Sequence, residues 1–559
     1  MTPARPATPV EALADDYLER LSALDRCSAA RMAIGGPSDE LTDYSRQGEE
    51  ARGELHLRTG RDLDAVDDGS TTARMLREWV DARVAASAAG DDQYLVRIIG
   101  GPVEGIRSTF DNMARVTTGD WELIVSRLGK VPAAIASARS GIEFAAAAGR
   151  IEPRRQVLAV AEQCDIFGGS GNGSGWFATL AEECRHTVCT GPLPDAADRA
   201  ALDAAVAYRD LGTWLRADYA PVAADSDGVG PERYARAARI VLGAELDSAE
   251  AYAWGWQELH RLDAEIAALC EAIVPGAPLV TVKATLDQST AIEGADAWRG
   301  WLQDLIDATI DRLQGTAFDI APPLRRCEAM LPPPGVAAAP YYTPPAEDFS
   351  YPGRTWFPTV GRTRFPTWDM ATTSFHEAVP GHHLQLGWVR VLNDRLCRFR
   401  RIAAVDAHGE GWALYAERLM DELGMLEDPG QRLGFLAFQA LRAARVVVDM
   451  GLHLGLRIPA DDPFHPGERW TPEVAIAFLV ERAGLSAAFA ASEVDRYLGW
   501  PGQAISYKLG EREWLAAREE ATRRDRPAFD LKAWHAQALD LGSLGLAQLR
   551  EELRRLSPA

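Results

Sequence analysis

The segment from Phe375 to His383, which reads Phe-His-Glu-Ala-Val-Pro-Gly-His-His, constrains this chain more than any other. It combines three histidines and one glutamate with a proline and a glycine, which interrupt helices. In the common helical zinc motif, two histidines four residues apart face one metal, and the glutamate after the first takes a proton from water. His376 and Glu377 begin that pattern, but Pro380 occupies the position four residues after His376.

The second histidine of such a site is therefore His382 or His383. On a regular helix, the sixth position after a residue points away by about 120°, and the seventh lies about 10 Å further along the axis. Pro380 cannot donate to the carbonyl of His376, and its ring pushes against that carbonyl. Gly381 permits unusual backbone angles. We expect a bulge or kink that returns His382 to the metal, with His383 as the alternative.

A third protein ligand is expected from a nearby helix, because catalytic zinc sites use three. The segment His408–Glu417 supplies Glu410 and Glu417, which are seven residues apart and therefore share a helical face. The rest of this helix is apolar, and buried carboxylates are paired or bind metals. We expect Glu410, flanked by glycines, to be the ligand, whereas Glu417 suits an exposed position better.

Leu433–Leu456 is predicted to be an apolar helix with one polar stripe. The residues of the stripe follow one another at spacings of three or four: Gln439, Arg442, Arg445, Asp449 and His453. If the stripe faces a cleft, Arg442 and Arg445 bind a peptide carboxylate, and His453 donates to the scissile carbonyl. The alternative is an internal ion pair between Arg445 and Asp449.

The segment Glu493–Trp514 is predicted to contain a helix that begins near Pro501. Gln503 and Tyr507 then share one face, and Lys508 is one of only four lysines in the chain. A tyrosine hydroxyl is a good neutral donor to a developing oxyanion. We expect Tyr507 to be catalytic and Gln503 and Lys508 to contact the substrate; the alternative for Tyr507 is a core aromatic residue.

The remaining pattern predicts a mainly α fold, a large helical body with a deep cleft and a small β insert beside the metal-binding helix. Helical periodicity is clearest in Pro9–Ala33, Thr72–Ala89, Gly119–Ala148, Ala196–Ala217, Ala249–Ile273 and Asp296–Arg312. Within Leu331–Phe357, the segments 341–343 and 354–357 are typical of short strands. We expect residues 1–330 to form one wall of the cleft and 331–559 the catalytic part, within one continuous structural unit.

Charge and cysteine usage limit the partners. The formal net charge of −22 repels nucleic-acid phosphates and anionic lipids, so we expect neither nucleic acid nor membrane as a partner. Seven cysteines without a CxxC pair do not indicate disulfides or a cysteine zinc site. The segment Met1–Leu21 lacks the apolar run of a signal peptide. We therefore expect a cytoplasmic protein, of undetermined oligomeric state.

Three segments, 376–383, 410–417 and 501–508, together resemble the bacterial family called domain of unknown function 885. The resemblance is most specific over about residues 340–515. That family is remotely similar to the Taq-type thermostable metallocarboxypeptidases and to the angiotensin-converting-enzyme group. Those are helical proteins with a deep substrate channel and a His-Glu-x-x-His zinc site. This sequence has two extra residues between the histidines, whereas dipeptidyl peptidase III has one extra residue and retains zinc.

The residues and the resemblance together imply a zinc-dependent peptidase with one Zn²⁺ per chain, acting on short peptides as a carboxypeptidase or an oligopeptidase. Glu377 would be the general base, and Tyr507, with His453, would stabilise the oxyanion. The expected zinc ligands are His376, His382 or His383, and Glu410. One alternative is a zinc hydrolase or lyase acting on non-peptide amides or amino-acid derivatives. Another is a non-catalytic binding protein with a vestigial site, against which the intact Glu377 argues.

Overall fold

The computed structural model describes residues 6–32, 34, 36, 38–169, 175–187, 189–332 and 339–556. Over these residues the fold is mainly α, as predicted. The helices before the first sheet residues are α1 (Pro9–Leu24), α2 (Arg26–Arg31), α3 (Arg46–Val66), α4 (Thr71–Ala89), α5 (Pro102–Ser108), α6 (Thr118–Ala147), α7 (Arg154–Gly168), α8 (Trp176–Arg185), α9 (Leu193–Trp214), α10 (Gly230–Leu242), α11 (Ser248–Ile273) and α12 (Leu279–Ser289).

The later helices include those that carry the predicted site. They are α13 (Ala295–Leu313), α14 (Met370–Glu377), α15 (His382–Val391), α16 (Arg398–Ile402), α17 (Asp406–Glu422), α18 (Pro429–Leu454), α19 (Pro472–Ala483), α20 (Ala487–Gly499), α21 (Ser506–Arg524), α22 (Leu531–Asp540) and α23 (Leu546–Arg555). None of the described helices combines the length and the apolar composition that crossing a bilayer requires.

The helices predicted from periodicity are all present, and most differ from the prediction only at their ends. The exception is Pro9–Ala33, which the structure divides into α1 and α2. The division occurs at Asp25, whose side chain accepts a hydrogen bond from the backbone N–H of Ser28 and so starts a new helix. Ala33 lies outside the described residues.

The β insert is a sheet of β2 (Cys327–Met330), β3 (Tyr341–Thr343) and β4 (Gly353–Trp356), in the order β2-β4-β3. Strand β4 pairs parallel with β2 and antiparallel with β3. A second, two-stranded sheet joins β1 (Ile292–Glu293) to β5 (Arg364–Phe365). Tyr342 on β3 contacts His383 on α15, so the strands predicted near residues 341 and 354 are confirmed and lie beside the helix that is predicted to bind the metal.

Two hydrophobic clusters form the interior. One contains buried residues of 96–223 together with Cys27. The larger cluster joins residues 10–80 to residues 234–553; in it, Tyr17 on α1 packs against Phe399 on α16 with ring centroids 6.1 Å apart. The first helices therefore share a core with the C-terminal part of the chain. The proposed division at residue 330 does not follow the boundary between these clusters and stays a prediction.

Helices α17 and α21 cross in direct backbone contact. A Cβ atom on Gly411 of α17 would overlap the backbone of Gly510 on α21, and one on Gly510 would overlap the carbonyl oxygen of Ala407. Only glycine at both positions allows this approach. The crossing matters for the site because Glu410 and Tyr507 belong to these two helices.

This crossing generates a stability prediction. Gly510→Ala is expected to destabilise the protein by about 1–3 kcal/mol, because the added methyl group forces the two backbones apart. Gly300→Ala is the matched control, since a Cβ there meets no atom within 4 Å and alanine is the better helix former by roughly 0.5–1 kcal/mol. Chemical denaturation of both variants measures the difference. Equal stability of Gly510→Ala and the unchanged protein would contradict the close packing.

Candidate metal centre

The predicted distortion of the His-Glu segment is a complete break between two helices. Helix α14 ends at Glu377 and α15 begins at His382. The link folds tightly: the N–H of Gly381 donates to the carbonyl of Phe375 at 3.0 Å, and that of His383 to the carbonyl of Ala378 at 3.1 Å. A Cβ on Gly381 would overlap the His376 carbonyl oxygen. The chain can therefore turn back at this point only with glycine.

The break brings three of the predicted ligands together. His376, His382 and Glu410 have potential ligand atoms that all lie within 4.8 Å of one another. Oε2 of Glu410 is 3.4 Å from Nε2 of His376 and 3.6 Å from Nε2 of His382. Ligand atoms about 2.0–2.2 Å from a tetrahedral zinc are about 3.3–3.6 Å apart. The spacing is compatible with a single zinc ion, and the cluster contains His382 and not His383.

The electrostatics of the cluster also fit a cation. Burial lowers the pKa of His376, but contacts with Glu410 and Glu417, and the charge of Glu377, outweigh burial and raise it to about 9. Burial opposes the charged form of Glu410, yet His376 and His382 hold its pKa well below the usual range. Oε2 of Glu410 is nevertheless buried without a hydrogen bond to any described residue. A metal ion would satisfy this oxygen after displacing the histidine proton.

Glu417 does not occupy the exposed position expected for it. It is buried, and its carboxylate accepts hydrogen bonds from Nδ1 of His376 and from the hydroxyl of Thr372, both at 2.8 Å. With Nδ1 donating, Nε2 of His376 is left to face Glu410. A carboxylate behind a metal-binding histidine fixes the tautomer and raises the basicity of the ring. Thr372 was missed in the sequence, although it lies one helical turn before His376.

His383, the alternative second ligand, has a structural role. Its Nε2 donates to the carbonyl of Leu324 at 2.9 Å, so its Nδ1 accepts from the Tyr342 hydroxyl at 3.0 Å. Burial lowers its pKa to about 4, which keeps the ring neutral at pH 7. Both ring nitrogens are occupied, and His383 has none left for a metal. It joins the β insert to α15 instead.

The predicted general base and hydroxyl donor lie around the cluster. Glu377 is half-buried at the end of α14, and its charge contributes to the raised pKa of His376. Its carboxylate makes no hydrogen bond or ion pair within the part of the chain that the structure describes. Burial, and then the charge of Glu410, raise the pKa of Tyr507 to about 12. The Tyr507 hydroxyl therefore stays protonated and able to donate at neutral pH.

Most side chains of the polar stripe on α18 are already paired with other residues of the protein. Arg445 is buried and donates to Glu493 at 2.8 Å, so it is not available to bind a substrate carboxylate, contrary to the prediction. The alternative pairing of Arg445 with Asp449 is also wrong, because Asp449 accepts from the Tyr234 hydroxyl at 2.6 Å. Arg442 is half-buried, contributes to lowering the pKa of Glu417, and forms no ion pair with any described carboxylate. Of the two arginines, Arg442 remains a candidate for substrate binding.

Three further predicted residues have structural partners instead of a free surface. Nε2 of His453 donates to the carbonyl of Tyr497 at 3.0 Å, and burial lowers the histidine pKa to about 4. Gln503 accepts from Arg496. The buried ammonium of Lys508 uses its three donors on Glu258, Gln439 and Glu511. The structure therefore does not support the catalytic role of His453 or the substrate contacts of Gln503 and Lys508.

Asp406 is a site residue that the sequence analysis missed. It lies one helical turn before Glu410 on α17, and burial, followed by the charge of Glu410, raises its pKa to about 7. The charge of Arg83 on α4 acts in the opposite direction. The spacing of four residues from Glu410 was visible in the sequence, whereas the approach of α4 was not.

Comparison with known proteins identifies a family and a fold. A family model described as "Bacterial protein of unknown function (DUF885)" matches residues 28–553. No curated protein matches this chain. A "putative lipoprotein" from Colwellia psychrerythraea has a similar structure, with a TM-score of 0.84, 23% identity and 98% of each chain covered. A "putative lipoprotein of unknown function" from Shewanella oneidensis has a TM-score of 0.73 and 17% identity over 98% of this chain and 99% of its own.

These neighbours correct the expected location. Both are described as putative lipoproteins, and this description contradicts the cytoplasmic location predicted from the sequence. That prediction relied on the composition of Met1–Leu21 and on the absence of a disulfide pattern. At these identities the likeness shows the fold alone.

The two carboxylates on α17 are expected to affect metal binding differently. Glu410→Ala removes a ligand and should abolish tight binding of zinc, whereas Glu417→Gln should weaken it by about 10–100-fold, because the charge behind His376 is lost. Glu422→Ala is the control, since Glu422 lies on the same helix and pairs with Arg518. Zinc titration with a competing chelator measures all three. Equal losses for Glu417→Gln and Glu410→Ala would contradict the assignment of Glu410 as the ligand.

Proposed function

We propose that this chain, which belongs to the bacterial family of unknown function DUF885, is a zinc-dependent peptidase that hydrolyses short peptides. The observation that carries the proposal is the convergence of His376, His382 and Glu410, with Glu377 following the first histidine. Two histidines and a glutamate are a ligand set of catalytic zinc sites, in which a fourth position stays open. The remote resemblance to metallocarboxypeptidases and the angiotensin-converting-enzyme group belongs to this proposal.

A zinc ion held by these three residues supplies the Lewis acidity that activates water and polarises a carbonyl at neutral pH. Glu377 acts as the general base: it accepts a proton from the attacking water and donates it to the leaving amine. No described side chain neutralises the Glu377 carboxylate, which keeps it available for this transfer. Glu417 holds the ring of His376 in one tautomer throughout.

Tyr507 supplies a hydrogen bond to the oxyanion that forms when the amide carbonyl is attacked. The interaction is useful because the hydroxyl stays protonated at neutral pH and α21 is held against α17 at the glycine crossing. A donor fixed in this way stabilises charge that exists only in the transition state. The Arg445 guanidinium packs over the Tyr507 ring at 4.8 Å from its centroid and helps to fix its position.

The substrate class rests on two features. The polar residues of the site lie on packed helices. The chain also resembles peptidases with deep channels, and such channels admit short peptides more readily than folded proteins. Arg442 offers a cation near the cluster that is not paired with a carboxylate in the described part of the chain. It can bind a carboxylate of a peptide substrate. Carboxypeptidase-like and oligopeptidase-like activity are both compatible with this arrangement.

The zinc and the base are tested together. The purified protein should contain about one zinc per chain, and Glu377→Gln should keep the metal but lose activity on short peptides by several orders of magnitude, because a base and not a ligand is removed. Elemental analysis and peptide turnover on the same preparation measure both. Absence of metal after incubation with zinc at neutral pH would contradict the site. Bound zinc without turnover of any short peptide would instead favour a hydrolase or lyase with other substrates.

The role of Tyr507 has a separate test. Tyr507→Phe should reduce turnover by about 10²–10³-fold, because an oxyanion donor is lost while the ring remains. Metal content and thermal stability should barely change. Steady-state kinetics and a melting curve distinguish this from a purely structural tyrosine, whose loss would lower the melting temperature and leave turnover near normal.

A further inference from the structure

A cavity of about 520 Å³ lies beside the proposed zinc centre. Its lining includes Gln385, three residues after His382 on α15, and Gly409, which directly precedes Glu410 on α17. The cavity therefore reaches within one helical turn of two proposed ligands. Its walls come from the β insert, α15, α16 and α22, which are distant in the sequence, so no single motif of the chain indicates it.

The cavity carries positive charge in a chain whose net charge is −22. Its charged lining residues are Glu347, Arg354, Arg390 and Arg401. His408 also lines it, but burial lowers the pKa of this histidine to about 3, so the ring is neutral. The cavity wall therefore contains three guanidinium groups and one carboxylate.

Two of the three arginines have carboxylate partners. Arg354 donates to Glu328 at 3.0 Å, and Arg390 reaches Glu347 at 3.3 Å. The side chain of Arg401 makes no hydrogen bond or ion pair with any residue in the described ranges. Its Nε is buried without a partner, and so is the Nε of Arg390, a residue that is only 8% exposed. These Nε atoms are closed to solvent, so an anion in the cavity would meet the terminal nitrogens of the guanidinium groups. Arg401 lines the cavity and has no side-chain partner in the described ranges, so its guanidinium group is available to such an anion.

Apolar and aromatic side chains surround these cations. Tyr351, Trp356, Leu386 and Val389 line the same cavity. A free phosphate ion would gain nothing from such walls, whereas the last residue of a peptide combines a carboxylate with a side chain. Arginine binds carboxylates through two parallel hydrogen bonds, which its planar guanidinium group favours.

We propose that this cavity binds the C-terminal residue of the peptide substrate, with its free carboxylate held by Arg401 and Arg390. The proposal rests on the proposed peptidase function and narrows it to cleavage close to a free C-terminus. Gly409 lines the cavity and directly precedes Glu410, so a peptide whose last residue fills the cavity would extend towards the proposed zinc ligands. Arg442, on the α18 side of the cluster, then contacts another part of the substrate.

Binding to an inactive protein tests this without requiring turnover. Titration calorimetry on the full chain carrying Glu377→Gln compares an alanine tetrapeptide as the free acid and as the C-terminal amide. The free acid should bind about 10–100-fold more tightly, the range expected for charge-assisted hydrogen bonds. Adding Arg401→Gln should remove this preference, and Arg401→Lys should restore part of it. Arg395→Gln is the control, because Arg395 pairs with Asp540 and does not line the cavity; it should keep the preference.

Four outcomes would overturn the proposal: no binding of either peptide, equal binding of acid and amide, a preference that survives Arg401→Gln, or a preference that only Arg442→Gln removes. An amidated peptide with an internal aspartate that binds as tightly as the free acid, and depends on Arg401, would also overturn the C-terminal assignment. Melting curves show that each variant is folded. Turnover by the unmutated chain is measured separately. Cleavage without acid preference contradicts only this subsite, and acid preference without cleavage contradicts only the peptidase function.

Discussion

The contact between the backbone of Gly381 and the carbonyl of His376 is the constraint on which the candidate site depends. The chain must reverse within residues 378–381 so that a histidine six positions after the first reaches the same metal. A side chain on Gly381 would overlap that carbonyl. The indole of Trp412 donates to the Pro380 carbonyl at 2.8 Å and ties this link to α17, the helix that supplies Glu410. One turn therefore positions all three proposed ligands.

Burial of the site raises the free energy of its charged carboxylates, and groups on neighbouring helices offset part of this cost. Placing charged carboxylates in a protein interior costs several kcal/mol per ion unless each one finds hydrogen bonds and an opposite charge. Glu417 has two donors, Thr372 and His376. Glu410 has only the two imidazoles, at distances longer than good hydrogen bonds. The incomplete satisfaction of Glu410, beside the complete satisfaction of Glu417, is the difference expected between a proposed metal ligand and the residue that supports that site.

The sequence predicted the helical class, the strands near residues 341 and 354, and the residues that form the cluster, because these depend on local spacing. It did not predict which polar side chains are already paired. Arg445, His453 and Lys508 shared a plausible face or position, but the structure pairs them with residues of α20 and α11. Whether a polar side chain is free depends on such pairings between distant segments. The spacing of residues in one sequence does not reveal these pairings. The expectation that Glu417 is exposed was wrong for the same reason, because its partners Thr372 and His376 lie on α14.

The protein as a whole is acidic, whereas the cavity wall contains more arginines than carboxylates. An anionic peptide approaching a protein of net charge −22 is repelled at long range, and salt limits this repulsion to about 8 Å from each exposed charge at physiological ionic strength. Inside the cavity, Arg390 and Arg401 act over short distances and in a less polar medium, where their attraction is screened much less. A carboxylate is therefore favoured only after it has entered. This arrangement favours a ligand whose terminal carboxylate is small enough to enter the cavity. It disfavours anionic macromolecules, because they contact only the acidic surface.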